Sequence, residues 1–327
     1  PFVLLLVVGL VLAAFAAPSV FANVTDYDAF ARLPVQDGGR VMPMDSFARL
    51  RLLQFSGRST FEKKPAVEWL ARLLFDPQAS QSNAVFMVNN PELLEAIGLE
   101  ALEGRRFSYE QLRPGMEKLR ELAVAASEHK DDERTPVEKE FIRVYHNLST
   151  YGSLAASFRF ALPHPDFTVT NEALRAKLEL PEGRTDFSFF DIFQKAHGFA
   201  NDVQQIAAKK PEEWTAYEAE LFALSSTLFN WSRYYQGLPI PMIPVSAHGT
   251  EQWVSPWDKL ALGFLDDATR RELTRLQDMA QAWTAGRTVD FKLAATDVAR
   301  SVTGRAEDNR GLRYLNLELR YNMIDPF

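Results

Sequence analysis

The sequence predicts a mainly α chain: an apolar N-terminal segment followed by a helical domain with minor β elements. Three observations carry that prediction. From Asp45 onward, apolar residues recur at three- and four-residue spacing, in runs that open on capping residues or first-turn prolines. Short-strand and turn chemistry is concentrated near residues 27–44 and 238–245. Residues 1–23 carry no charge at all. With 327 residues and 46% hydrophobic content there is material for a large core, which excludes whole-chain disorder and collagen-like classes.

Taken in order, the first element is the segment PFVLLLVVGLVLAAFAAPSVFAN, residues 1–23. It reads as a transmembrane anchor or as a signal segment. Its first twenty-two residues span roughly 33 Å as a helix, enough for a bilayer core of about 30 Å. The Val20-Phe21-Ala22 triplet resembles a signal cleavage site. A buried core helix is the third reading. The downstream flank holds Asp26 and Asp28 before the first cation, Arg32, which favours an extracytoplasmic side for residues 24–327. The chain opens at Pro1 without an initiator Met, and its close at Tyr321–Phe327 has neither a charged tail nor a helix stop, so it reads as a chain cut short.

Residues 27–44 carry Pro34, Gly38, Gly39 and Pro43, and Asp37-Gly38 predicts a hairpin. Asp45 is placed to cap a helix through Phe47, Leu50, Leu53 and Phe55, stopped by Gly57. Pro65 stands at a first helical position ahead of Val67, Trp69, Leu70, Leu73 and Leu74. Asn90-Pro91 opens a short helix, and Ser108 opens another whose start Pro114 displaces C-terminally. The run from His129 to Glu133 is a solvated connection. Thr135-Pro136-x-Glu138 is a capping box for a helix running to about Phe160. Residues 161–187, rich in Pro, Gly and charge, predict a surface excursion with a short strand at Phe167–Thr170. Helices then resume over about 188–208, 211–236, 255–282 with a break near Asp266, 289–303 and 311–323. Three prolines within residues 238–245 predict extended chain and exclude a central strand there.

The chemistry visible in the sequence is chiefly exclusion. The absence of cysteine removes disulfides, thiolate metal sites, iron–sulfur clusters and cysteine nucleophiles together. Thirty-six Lys and Arg against forty-three Asp and Glu give a net charge of −7, which excludes nucleic acid as a partner on electrostatic grounds. There is no HExxH, GxSxG, GxxxxGK[ST] or GxGxxG. The five histidines, His129, His146, His164, His197 and His248, contain no pair within four residues, so no local metal pair exists. Trp253 and Trp257 are the most distinctive aromatic pair. With His248 they form a candidate interaction surface, against the plainer reading that Trp253 anchors a loop and Ser255-Pro256 starts a helix holding Trp257. The cluster Phe187, Phe189, Phe190 and Phe193 is dense enough to suggest an interface.

The most informative stretch is Leu33-Pro34-Val35-Gln36-Asp37-Gly38-Gly39-Arg40-Val41-Met42-Pro43-Met44-Asp45-Ser46-Phe47-Ala48-Arg49. It resembles the opening of an extracytoplasmic domain in cytochrome c biogenesis proteins of the CcsA/ResC (System II) type. Gly57-Arg58 with Phe61, Trp69-Leu70, Phe75-Asp76-Pro77, Pro241-x-x-Pro244 and Trp253-x-x-Pro256-Trp257 follow in the same order. So does Glu318-Leu319-x-Tyr321-Asn322-x-x-Asp325-Pro326-Phe327, whose counterpart in that family leads into a transmembrane helix. The resemblance implies an outer module of a membrane system that carries haem outward and presents it to an apocytochrome c. It implies a ResB/CcsB-type membrane partner, an apocytochrome client, and a cell-membrane location with the main domain on the periplasmic side. Haem belongs to that full system. The Trp-rich segment and membrane histidines that handle it are not in this chain, so the resemblance transfers no haem ligand and no catalytic residue here. Read on their own chemistry, Pro34, Gln36, Gly39, Arg40, Pro43 and Asp45 are structural: a tight turn, a helix start, and Arg40 paired with Asp45 or an orphan carbonyl.

Two other classes compete. One is a membrane-tethered ligand- or protein-binding domain unrelated to haem. The other is a hydrolase using a carboxylate pair such as Asp131 and Glu133, which needs burial to shift a pKa.

Overall fold

The structure is a computed structural model that describes residues 24–100, 105–247, 250–306 and 310–324. The expectations for segment 1–23, for His248 and for Asp325-Pro326-Phe327 lie outside the described residues.

The fold is mainly helical, as predicted. Among the described residues the helices of ten residues or more are α1 (Met44–Ser56), α2 (Ala66–Phe75), α3 (Met116–Ser127), α4 (Pro136–Ala156), α5 (Ala216–Tyr234), α6 (Asp267–Thr284), α7 (Thr288–Arg305) and α8 (Leu315–Ile324). The strands form separate antiparallel pairs: β1 (Pro34–Asp37) with β2 (Arg40–Pro43), β3 (Thr60–Phe61) with β4 (Lys64–Pro65), β5 (Phe86–Met87) with β6 (Arg106–Phe107), β7 (Pro163–Thr168) with β8 (Asp186–Ser188), and β9 (Ile243–Ala247) with β10 (Thr250–Val254). None of the described pairs extends into a larger sheet.

Local chemistry sets the helix limits. Thr135 and Glu138 make the reciprocal capping bonds that start α4, with Pro136 in the first turn. Thr215 and Glu218 do the same for α5, so α5 starts at Ala216 and the 211–213 stretch is a separate 3₁₀ turn. The predicted helix 188–208 is three short pieces, Phe189–Phe193, Ala196–Gly198 and Ala200–Ala207. Gly57 takes φ +68° and ends α1, its N–H bonding the Leu53 carbonyl at 2.8 Å.

α1 packs on α2, α3 lies along α4, and α6 lies along α7. Their inner faces and the short elements share one buried cluster reaching from Val24 to Leu315. Phe75 is one hub, with ring centroids of Phe158, Phe30, Trp283 and Phe291 at 5.2, 5.8, 5.8 and 6.0 Å. Three of these, with Phe158, Phe30 and Phe291, are edge-to-face pairs, which add about 0.5–1.5 kcal/mol each beyond burial.

Residues 161–187 do run largely along the surface, with more than half of them exposed, but Phe167, Val169, Leu174, Leu178 and Phe187 anchor them in the common core. The short strand there is corrected: β7 covers Pro163–Thr168 and not Phe167–Thr170, and it pairs with β8. The interface expected of the phenylalanines is corrected too. The phenylalanine cluster is likewise inside, with Phe187, Phe189 and Phe190 fully buried and Phe193 half-buried, so those three cannot form an exposed interface.

Candidate functional site: the junction of the first and last described segments

The turn between β1 and β2 is Gly38-Gly39, with φ +56° and +81°. Both central residues are left-handed, which the two-residue hairpin requires and glycine supplies without strain. Asp37 pairs opposite Arg40, and Pro34 opposite Pro43. Val35, Val41 and Met42 face the core. The Gln36 N–H donates to the Pro241 carbonyl at 2.9 Å, tying the hairpin to the proline-rich stretch.

α1 leaves directly from Pro43, whose φ −66° and ψ 150° precede the first turn. Asp45 therefore sits inside that turn and does not cap it. Its buried carboxylate accepts from Arg49 Nε at 3.0 Å and from Asn322 Nδ2 at 2.9 Å. Arg40 does not pair with Asp45 either. It reaches across the hairpin to an ion pair with Glu318 of α8, while Asp37 pairs with Arg51 at 2.5 Å. Asn322 also donates to Ser46 Oγ at 2.9 Å, and Arg49 donates to the Asn322 carbonyl at 3.2 Å. Arg32 donates to Asn316 Oδ1 at 3.1 Å. Leu315 and Leu319 pack inward beneath these bonds.

Two sequence motifs some 278 residues apart, the PVQ-x-x-GR-x-x-P-x-D opening and the E-x-x-YN close, thus meet in one hydrogen-bonded seam. The start of the described chain is held beside it by α6 and α7. Thr25 N–H donates to Thr288 Oγ1 at 3.3 Å, and Trp283 donates to the Tyr27 hydroxyl at 3.3 Å. Lys292 bonds Asp26 at 2.6 Å and holds its carboxyl below the usual carboxylate range. The Pro244 carbonyl accepts from Arg305 at 2.7 Å, and Arg305 pairs with buried Glu272 at 2.7 Å. Burial pushes the Glu272 carboxyl up, against the Ser301 hydroxyl and Arg305, which pull it down.

The outer side of this seam is apolar. Tyr314, Leu317, Tyr321, Met323 and Ile324 are each more than half exposed. A groove of about 620 Å³ runs between β2 and α8, lined by Arg40, Val41, Tyr314, Leu317, Glu318 and Tyr321. This face was not predicted. Its signal is Tyr314, Leu317, Tyr321 and Ile324 at three- and four-residue spacing, opposite the inward Leu315 and Leu319.

The tryptophan pair is corrected. Trp257 is fully buried and Trp253 is 6% exposed, so they offer no flat surface. Ser255 and Asp258 form a capping box with Pro256 in the first turn, and this helix start turns Trp257 inward. Its indole N–H donates to the Ala156 carbonyl at 3.2 Å, among Tyr235, Phe189 and Phe160 at 4.8, 5.0 and 5.9 Å. Trp253 donates to Glu251 at 2.7 Å.

The described histidines do not converge. His129 meets Glu138 at 2.9 Å, His146 and His197 are exposed, and His164 packs on Trp231. Among the described residues no three His, Asp or Glu side chains gather as a metal centre requires. Asp131 and Glu133 are highly exposed and face Arg134, Lys139 and Lys130, so the burial that a catalytic pair needs is missing there. A second groove, about 640 Å³, lies among Phe193, Phe199, Phe229, Leu260, His197 and Arg233. Among the described residues no helix is long and apolar enough to cross a membrane. Compared with known proteins, the chain matches no protein-family model and no curated sequence.

Proposed function

We propose that this chain is the extracytoplasmic module of a membrane-bound cytochrome c maturation protein resembling the CcsA/ResC type. Residues 1–23 tether it to the cell membrane, and the domain docks a ResB/CcsB-type partner or an apocytochrome c on the periplasmic side. The observation that supports this reading is the seam itself: the opening and closing motifs that carry the resemblance are bonded to each other through Arg40–Glu318 and Asp45–Asn322. A domain lying between two membrane segments has to receive and release its chain on one face, and the bonding of the opening hairpin to α8 supports such an arrangement. The seam consists of ion pairs, amide bonds and leucines, so this reading gives the chain a docking role. No step of haem chemistry is assigned to its residues.

The test is genetic and biochemical. In the source organism, loss of this gene should abolish covalently haem-stained c-type cytochromes, and the intact gene should restore them. Unchanged haem staining in the deletion strain would overturn the reading. If the chain still fractionates with membranes in that case, a tethered binding domain unrelated to haem takes its place. The aromatic groove beside Phe229 and Arg233 favours that second reading.

A further inference from the structure

The outer face of α8 presents Tyr314, Leu317, Tyr321 and Ile324 as one stripe, with exposures of 62%, 64%, 54% and 75%. Beside the stripe, Arg313 and Arg320 are exposed and make no ion pair among the described residues. Glu318 is the acidic residue of α8, and Arg40 already engages it. The exposed arginines thus flank an apolar stripe on a chain whose net charge is −7.

We infer that this face of α8 lies in the interface of an anionic lipid bilayer, with the aromatic and aliphatic stripe among the headgroups and Arg313 and Arg320 on lipid phosphates. The inference rests on the membrane tether proposed above. Two observations select lipid as the occupant. The first is charge: a cationic rim around an apolar stripe is the pattern of helices that lie in the plane of a membrane, and each arginine near an anionic surface contributes about 1 kcal/mol. The second is continuity. The uncharged segment 1–23 joins the described chain at Val24, and Thr25 is bonded to Thr288 at the start of α7. The next exposed apolar residues there, Val289 and Leu293, are 70% and 59% exposed. The described chain that follows segment 1–23 then reaches α8 within a few residues, through Arg32–Asn316, and again through Arg40–Glu318. Tyrosine suits such a depth because its ring is apolar and its hydroxyl stays wet.

The chain has no cysteine, so each introduced one is a unique label site. Leu317→Cys, Tyr321→Cys, Glu117→Cys and Val11→Cys would be made singly in the full chain, spin-labelled, and reconstituted into mixed phosphatidylcholine–phosphatidylglycerol vesicles. Accessibility to oxygen, which partitions into lipid, is compared with accessibility to a water-soluble nickel chelate. The expected result is a several-fold rise in the oxygen-to-nickel ratio at positions 317, 321 and 11 over position 117. Arg313→Glu with Arg320→Glu should return positions 317 and 321 toward the aqueous ratio while position 11 stays lipid-like. Aqueous labels at 317 and 321 with a lipid-like label at 11 would overturn this inference and leave the tether standing. Labels at 317 and 321 shielded from both reagents would mean that protein covers the stripe, which also overturns it. An aqueous label at 11 would sink the tether and the inference together.

Discussion

His164 is a partly buried side chain whose charge is set by its surroundings. Its ring lies 4.8 Å from that of Trp231, and its Nδ1 accepts the Asp166 N–H at 3.2 Å. The Asp166 carboxylate in turn accepts the Trp231 indole N–H at 3.0 Å. Burial pushes the His164 pKa below its ordinary value; the nearby Asp166 charge opposes this and Arg159 adds to it. Protonation at Nδ1 also forfeits the bond from the Asp166 amide. The folded state therefore holds this proton less tightly than the unfolded chain does. Stability is retained above the free-histidine value of about 6.5 and falls as pH drops through it toward the lower folded value. The melting temperature of the wild type should fall more between about pH 7.5 and about pH 5.5 than that of His164→Gln, since this window brackets the free-histidine value. Trp231 fluorescence should report the same transition. Equal losses in the two proteins would show that the histidine is not coupled to folding.

At the scale of elements, α8 is held by little: two buried leucines, the Arg40–Glu318 pair, the Arg32–Asn316 bond and the bonds of Asn322. Asn322→Ala leaves the buried Asp45 carboxylate and the Ser46 hydroxyl each short of a partner, a loss of about 1–3 kcal/mol for such groups. Because few bonds and little buried surface hold α8, the loss should appear as local unfolding. Tryptic cleavage after Arg320 should accelerate several-fold while the global melting temperature changes little. Unchanged cleavage would mean the leucines, Arg40 and Arg32 carry the docking alone. This element also marks where sequence reading works and where it stops. Thr135-Pro136-x-Glu138 and Ser255-Pro256-x-Asp258 are legible because a capping box bonds residues three apart, so spacing alone encodes it. The Gly38-Gly39 turn is legible for the same reason. Asp45 reads as a cap because it stands beside a helix start, yet it is spent on Asn322, far away in sequence. The strands β9 and β10 were half legible: prolines exclude a central strand but tolerate a two-stranded ribbon, where Pro244 pairs opposite Trp253. In segment 161–187 the surface course is legible from its prolines and charges, while the few phenylalanines and leucines that anchor it are outnumbered and are not. The seam and the outer stripe of α8 are products of long-range packing, which no local window contains.

The whole chain carries a net charge of −7, while the outer face of α8 presents the exposed Arg313 and Arg320 beside its apolar stripe. If that face meets an anionic membrane, the acidic remainder faces the aqueous side, where the proposed client arrives. Charge of this kind acts chiefly on encounter, raising association rates by roughly 10- to 1,000-fold for an oppositely charged partner. Screening sets its reach, since the Debye length shrinks from about 30 Å at 0.01 M salt to about 8 Å at 0.15 M. The association rate of the full chain in detergent with a cationic, reduced apocytochrome c should therefore fall on the order of tenfold across that range. Dissociation should change far less, because steering acts before contact is made. Acetylating the lysines of the apocytochrome removes its charge and should bring the low-salt rate down to the high-salt one. An association rate that ignores both salt and acetylation would mean that any docking is apolar. Attention would then move from the acidic surface to the aromatic groove beside Phe229, because that groove offers apolar contact without net negative charge.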